Sequence, residues 1–276
     1  MARPLRIQAP GLTYHICSRG TGQMTIYRDD RDRRRFLQLL ARTFTKFSVS
    51  CFAYCLMSNH YHLVATTSEA NLSKTMQHLN STYGQWWNRR HRRVGHVFQG
   101  RFNAKIIQEE TYLLTACRYV VLNPVRARLV GGPAQWKWSS YRATAGFSPL
   151  PDVLRPEGLL KRFCADDHRS AVREYRKFVC EPTARLLRLP SDAVLGDDAF
   201  VASFRPIAGR ASREVPRRER LLGETLSILL AGTITRRDRN GQIVAAHRRG
   251  HTVTAIARYL DVHRSSVSKV IKNARP

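Results

Sequence analysis

The sequence predicts an α+β fold, an antiparallel sheet with packed helices, followed by a separate all-α module at the C-terminal end. Three observations point there. Strand-like and helix-like patterns alternate over the first ~130 residues. Two of the strand-like runs lie close enough in sequence to form a hairpin. The last ~50 residues carry three helical segments with capping and stop signals.

Leu12 to Ser18 reads as a strand ending at Arg19-Gly20. Asp29 to Phe47 carries Phe36, Leu37, Leu40, Phe44 and Phe47 at helical spacing, with acidic residues at its start, where the helix dipole favours them. Val49 to Met57 reads as a strand, Ser58-Asn59 as a turn, and His60 to Thr66 as the partner strand. Asn71 to Arg89 is amphipathic, with Leu72, Met76, Leu79 and Tyr83 on one helical face. Phe98 to Ile107 is strand-like, and Glu109 to Leu122 is a helix that ends or kinks before Pro124. Trp136 and Trp138 flank Lys137 in a segment expected to pack as a tail on this domain.

The expected organisation is a first domain over 1–145, a partly helical connector over 146–230 and a DNA-binding module over 231–276. Prolines 149, 151, 156, 182, 190, 206 and 216 break the connector into short pieces, among them a helix from Val172 to Val179. In the last module, Gly241 to Arg249 is helical and stops at Gly250, Thr252 caps a second helix through Leu260, and Arg264 to Ile271 forms a third.

Composition narrows the partners. Among 276 residues, 47 Lys+Arg against 20 Asp+Glu leave a formal net charge of +27. A surface that positive attracts polyanions, and nucleic acid is the usual one. There is no apolar run of membrane-spanning length, no lipidation signal and no secretory leader at the N-terminus, so the expectation is a cytoplasmic, nucleoid-associated protein without a membrane partner. The six cysteines form no Cys-x-x-Cys pair and read as reduced, packed thiols.

Two constellations carry chemistry. His60-Tyr61-His62 on a strand projects both imidazoles from one face, where they can share a metal ion. Alone, the pair reads first as two packed or surface histidines; a zinc site with Cys51 and Cys55 is a distant alternative, because a His-x-His gap is short for that. The second is Arg118-Tyr119-Val120-Val121-Leu122-Asn123-Pro124, where Tyr119 and Asn123 stand one helical turn apart on one face. A phenol that attacks phosphorus preserves the energy of the bond in a phosphotyrosine, so a strand can be rejoined without ATP. The phenol needs an activated phosphate, and a divalent ion held by two imidazoles and an amide oxygen can polarise the non-bridging oxygens. Read singly, Tyr119 is a packed tyrosine and Asn123 a helix cap.

Read together, Met57-Ser58-Asn59-His60-Tyr61-His62-Leu63-Val64 and Tyr119-Val120-Val121-Leu122-Asn123-Pro124-Val125-Arg126-Ala127-Arg128-Leu129-Val130 resemble the single-tyrosine HUH transposases. They are most similar to the REP-associated tyrosine transposase branch. Tyr14-His15-Ile16-Cys17-Ser18-Arg19-Gly20, Gly95-His96-Val97-Phe98-Gln99-Gly100-Arg101-Phe102 and Trp136-Lys137-Trp138-Ser139-Ser140-Tyr141 look like that branch too. The resemblance covers roughly residues 8–145. It implies a ferredoxin-like or RRM-like sheet and Mg²⁺- or Mn²⁺-assisted cleavage of single-stranded DNA. It also implies that His60 and His62 bind the metal, Tyr119 is the nucleophile, and Asn123 completes the metal site. Tyr112 is the rival nucleophile, outside the matching motif.

Further DNA contacts are expected from the basic run after Trp86-Trp87, namely Arg89, Arg90, Arg92 and Arg93, and from Arg101 and Lys105 on the following strand. The tryptophans themselves are expected mostly in the core. Thr252 to Lys272 resembles a helix-turn-helix, with Ile256, Leu260, Val262, Val267 and Val270 at its apolar positions and Asp261 at the turn. Arg264, Ser265, Ser266, Ser268 and Lys269 then face a groove or phosphates. The expected activity is a single-strand DNA endonuclease and strand transferase acting on hairpin, REP-like palindromic DNA, as a monomer or homodimer, with duplex DNA as a second partner of the C-terminal module. The competing expectation is a non-catalytic DNA-binding protein or transcriptional regulator derived from a transposase.

Overall fold

The computed structural model describes residues 7–181, 189, 193–204, 230, 236–248 and 253–274. The chain divides into two compact units, residues 8–190 and residues 191–276 together with 1–7.

In the first unit β1 (Thr13–Arg19), α1 (Asp30–Lys46), β2 (Val49–Leu56), β3 (His60–Thr67), α2 (Leu72–His91), β4 (Asn103–Ile107) and α3 (Glu109–Val121) follow one another. The four strands lie in the order β2-β3-β1-β4, each antiparallel to its neighbours. This is the ferredoxin-like arrangement that the resemblance implies.

Local signals set the elements. Asp29 caps α1 by accepting from the Asp32 amide, and Asp30 and Asp32 occupy its first turn. Phe36, Leu40 and Phe44 lie four residues apart and are all buried. With α2 they cover one face of the sheet, Phe36 meeting Tyr61 of β3 at 4.8 Å and Tyr83 of α2 at 5.1 Å between ring centroids. On the other face Leu113, Ala116, Cys117 and Val120 of α3 pack with Ala53, Cys55 and Val64. Fully burying Leu113, Val120 and Val64 is worth roughly 1.5–3 kcal/mol each, which locks α3 across the strands.

Three differences from the sequence reading have physical reasons. The strand expected from Phe98 begins at Asn103, because Gly100 turns the chain with φ 64°, and Phe98 keeps only an isolated bridge to Gly20. The first unit also runs past the expected boundary at 145. The short helices α4 (Asn123–Arg126), α5 (Tyr141–Thr144) and α6 (Glu157–Leu160) are followed by α7 (His168–Cys180). Ala171, Val172, Tyr175 and Val179 of α7 complete the core built by α3. Finally, the tail around Trp138 does more than pack: Leu56 donates to Trp138 O at 2.9 Å and Ser140 donates to Tyr54 O at 2.9 Å. These bonds cover the outer edge of β2, which would otherwise offer unpaired amides.

Three of the cysteines, Cys51, Cys55 and Cys117, are buried as expected, whereas Cys180 is exposed at the end of α7.

The second unit contains β5 (Val194–Leu195), α8 (Asp198–Ser203), α9 (Arg236–Arg248), α10 (Val253–Tyr259) and α11 (Arg264–Asn273). Ile243, Ala246, Ile256, Ala257 and Val267 form its core together with Leu230, flanked by Leu260, Val262 and Val270. Asp261 sits in the left-handed region at φ 50°, at the turn between α10 and α11. Gly250 and Thr252, expected to stop and cap helices, lie outside the described residues, as do Pro182, Pro190, Pro206 and Pro216.

Candidate active site

His60 and His62 project from the face of β3 that α3 covers, with ring centroids 4.9 Å apart. Their neighbours follow from the register, in which Arg19 stands opposite His60 and Cys17 opposite His62 on β1. The turn before them is tight. Gly20 N donates to Asn59 O at 2.8 Å, and a Cβ on Gly20 would collide with the Met24 carbonyl. Asn59 Nδ2 donates to Gln23 O at 3.1 Å, and Asn59 Oδ1 lies 2.6 Å from His60 Nδ1.

A third histidine joins the pair. His15, two positions before Cys17 on β1, lies with its ring 5.2 Å from that of His62 and nearly parallel to it, at 8°. Its Nε2 is 3.0 Å from His62 Nδ1. The Tyr119 ring stands edge-on to both, at 5.6 Å from His15 and 6.0 Å from His62. Position 119 falls there because its neighbour Val120 is fully buried against the sheet, which leaves Tyr119 at the margin of the packed face.

Asn123 does serve as a cap. Its Nδ2 donates to Tyr119 O at 2.9 Å and to Val120 O at 3.3 Å. That leaves Oδ1 outside the cap, so capping and ligation are compatible. Beyond it, the Arg126 guanidinium lies over the Tyr119 ring, 4.3 Å from its centroid. Arg126 Nη1 is buried and, among the described residues, has no hydrogen-bond partner. Tyr112 packs against the core shared by α3 and α7.

Burial governs the imidazoles. It pushes the His15 pKa down to about 3, aided by the positive charge of Lys105. It pushes His60 down to about 4, aided by Arg19, and His62 well below the usual imidazole range, with His15, His60 and the nearby arginines adding to the effect. All three rings are therefore neutral at pH 7 and carry lone pairs.

Neutral imidazoles suit a divalent ion, and His60 and His62 share one face. Among the described residues, however, no group of three or more His, Cys, Asp or Glu side chains forms a metal cage. The donors that share a face are the two imidazoles of His60 and His62, an open set. Two imidazoles alone fit a divalent ion held with positions left open for other ligands, and they do not by themselves choose among the metals. The set does not fit a zinc cage that uses Cys51 and Cys55. Cys51 donates its thiol hydrogen to Ala53 O and Cys55 to Met57 Sδ, and burial raises both thiols, Cys51 to about 12.

The residues expected to meet DNA divide into two groups. Arg89, Arg92, Arg93 and Arg101 are exposed, and Lys105 is half-buried on the histidine face, opposite His15. Arg90 differs. It pairs with Asp29 and Asp32, and His91 also contacts Asp32, at 3.0 Å. Its charge is matched inside the domain, because Asp32 is fully buried and requires a partner. Trp87 is buried and Trp86 half-buried, with Arg35 and Arg90 over the Trp86 ring. In α11, Arg264, Ser265, Ser266, Ser268 and Lys269 are all exposed.

Sequence reading missed roles for His15, Asn59 and Arg126. His15 had one available signal, its i, i+2 alternation with Cys17 and Arg19, but nothing local says which strand lies beside β1.

Among the described residues no helix is long and apolar enough to cross a membrane. No curated protein matches the chain in sequence. Among solved structures it is similar to one described as a REP-associated tyrosine transposase bound to a REP hairpin, at 15% identity and a TM-score of 0.44, covering 56% of this chain and 92% of that one. Residues 8–123 match the family model described as IS200-like transposase, a span that takes in His60, His62, Tyr119 and Asn123. Residues 235–275 match the model of a homeodomain-like domain. Two parts of the chain are therefore similar to known families, residues 8–123 to the IS200-like transposases and residues 235–275 to homeodomain-like domains.

Proposed function

We propose that this protein is a metal-dependent single-strand DNA endonuclease and strand transferase of the HUH type that acts on hairpin, REP-like palindromic DNA through a phosphotyrosine intermediate. The observation that carries the proposal is the packing of the Tyr119 ring at 6.0 Å from that of His62, which joins the two motifs from distant parts of the chain.

In this reading Tyr119 Oη attacks the scissile phosphorus. An O–P bond forms to the phenol, the P–O bond to one deoxyribose breaks, the phenol gives up its proton, and the departing sugar oxygen takes one up. Attack by a sugar hydroxyl on the phosphotyrosine reverses the exchange and rejoins a strand with no net loss of ester bonds. Arg126 supplies fixed positive charge at the face of the Tyr119 ring, which favours an anion beside it. Asn123 keeps the end of α3 wound, so Tyr119 is presented from a rigid turn. A bound Mg²⁺ or Mn²⁺, held by His60, His62 and Asn123, would polarise the non-bridging phosphate oxygens.

The exposed cations Arg89, Arg92, Arg93 and Arg101, with Lys105 nearer the histidines, fit the DNA backbone around the cut. The C-terminal helix-turn-helix offers Arg264, Ser265, Ser266, Ser268 and Lys269 to duplex DNA. Incubating the protein with a labelled hairpin oligonucleotide and Mn²⁺ tests the reading. A covalent protein–DNA adduct that disappears in Tyr119→Phe is expected. Cleavage at the same site by that variant would transfer the nucleophile role to another residue, with Tyr112 first. Binding of the hairpin without any adduct or cleavage would favour the regulator reading.

A further inference from the structure

His15 and Asn59 have no role in the scheme above, yet each meets a ring nitrogen of the histidine pair. At His60 the partner decides the tautomer. Asn59 Nδ2 donates to Gln23 O at 3.1 Å, which turns the amide oxygen the other way. That oxygen lies 2.6 Å from His60 Nδ1. An amide oxygen has no hydrogen to give, so His60 donates from Nδ1 and its lone pair lies on Nε2.

At His62 the partner is another imidazole. Nδ1 lies 3.0 Å from His15 Nε2, and the 8° angle between the rings suits an in-plane N–H···N bond. Each neutral imidazole has one donor and one acceptor, so two proton arrangements satisfy this contact. Only one of them, His62 Nδ1–H donating to His15 Nε2, gives His62 the same outward lone pair as His60. His15 reaches this place because β1 lies directly beside β3, with His15 opposite Val64.

We propose that His15 and Asn59 are positioning residues that hold His62 and His60 as Nδ1–H tautomers, so that both rings present Nε2 lone pairs on the face shared with Tyr119. The inference rests on the reading of His60 and His62 as ligands of a divalent ion. Metal-binding histidines owe their orientation and basicity to such outer hydrogen bonds. In this arrangement His15 carries its own hydrogen on Nδ1 and would act only through His62, not as a ligand.

The test begins with the full-length, metal-free protein labelled with nitrogen-15 at histidine. Long-range proton–nitrogen correlation spectra report which ring nitrogen carries the hydrogen, and His60→Gln and His62→Gln identify the two signals. The expected result is Nδ1–H at both. A hydrogen on Nε2 of His62 overturns the proposal, whatever the metal does. The second readout is Mn²⁺ affinity, followed by electron paramagnetic resonance. His15→Phe keeps a ring and removes the acceptor, and should weaken Mn²⁺ binding about 10–100-fold. His15→Gln restores an acceptor oxygen and should recover much of that loss. Wild-type affinity in His15→Phe overturns the proposal. If wild-type protein binds no Mn²⁺ through His60 and His62, the metal reading fails, and the tautomer spectrum still decides the positioning roles.

Discussion

The two units handle their polar side chains in opposite ways. In the first, His15 and His62 are each only 7% exposed, packed between a sheet and a helix and joined to each other. In the second, every side chain of α11 proposed to meet DNA is exposed, and Val267 alone of that helix is buried. On the proposed function, the contrast follows from what each has to do. A metal-assisted phosphoryl transfer needs groups held within a fraction of an ångström and kept neutral, which requires burial and hydrogen-bond partners. A helix that reads DNA must exchange water for bases and phosphates, so its contact residues stay on the surface and its core only has to hold the helix in place.

The comparison breaks most sharply at Tyr119. Tyr119→Phe removes one oxygen from a ring packed on two histidines, so adduct formation should fall to background while hairpin affinity stays within about twofold, a change below ~0.5 kcal/mol. Gel analysis of adduct and a binding titration on the same hairpin check both halves. Retained adduct would remove Tyr119 from the chemistry.

His60→Ala and His62→Ala come next. Each should abolish Mn²⁺-dependent cleavage, whereas Asn123→Ala should reduce it less, because an amide oxygen is the weaker donor and water can partly replace it. Single-turnover cleavage across a Mn²⁺ titration separates the three, and wild-type activity of His60→Ala at saturating Mn²⁺ would contradict the metal site.

For the second unit, Arg264→Ala with Lys269→Ala should weaken duplex binding and lower the salt slope by up to about 2, one for each phosphate no longer neutralised. Cleavage of a short hairpin should be unchanged. Intact duplex binding with impaired hairpin cleavage would show that α11 serves the catalytic assembly instead.

Arg89 and Arg90 sharpen the same division within one helix. Arg89→Ala should weaken DNA binding and leave the melting temperature unchanged. Arg90→Ala strips the buried Asp32 of its guanidinium and should lower the melting temperature, since a buried carboxylate is left without that charged partner. Thermal melts beside binding curves distinguish them, and equal melting temperatures would refute the structural role of Arg90.

The smallest effect is on pH. The pKa values of His15 and His60 are lowered to about 3 and about 4 in the folded protein, so between pH 6.5 and about 4 the unfolded chain binds more protons than the folded one. Stability is full above pH 6.5 and falls as the pH drops through that window. Melting of the metal-free protein between pH 7 and 5 should show this decline, and His15→Gln, with one such group removed, should show a shallower one. An identical slope in that variant would argue that His15 is not held neutral.

Much of this molecule follows from sequence-local rules. The period of two places His60 and His62 on one side of a strand, and the helical period places Asn123 one turn beyond Tyr119, where its amide caps the carbonyl of Tyr119. The three C-terminal helices, their apolar positions and the left-handed Asp261 are local in the same sense, as are the acidic residues opening α1. What depended on tertiary structure was which distant segments became neighbours. The strand order put His15 beside His62, the burial of Asp32 engaged the still partly exposed Arg90 in an ion pair, and α7 entered a core whose edge the proline pattern places earlier. These outcomes reflect a competition among alternative pairings for buried area and satisfied hydrogen bonds. That competition is settled by interactions between residues far apart in the chain, and no local period records it.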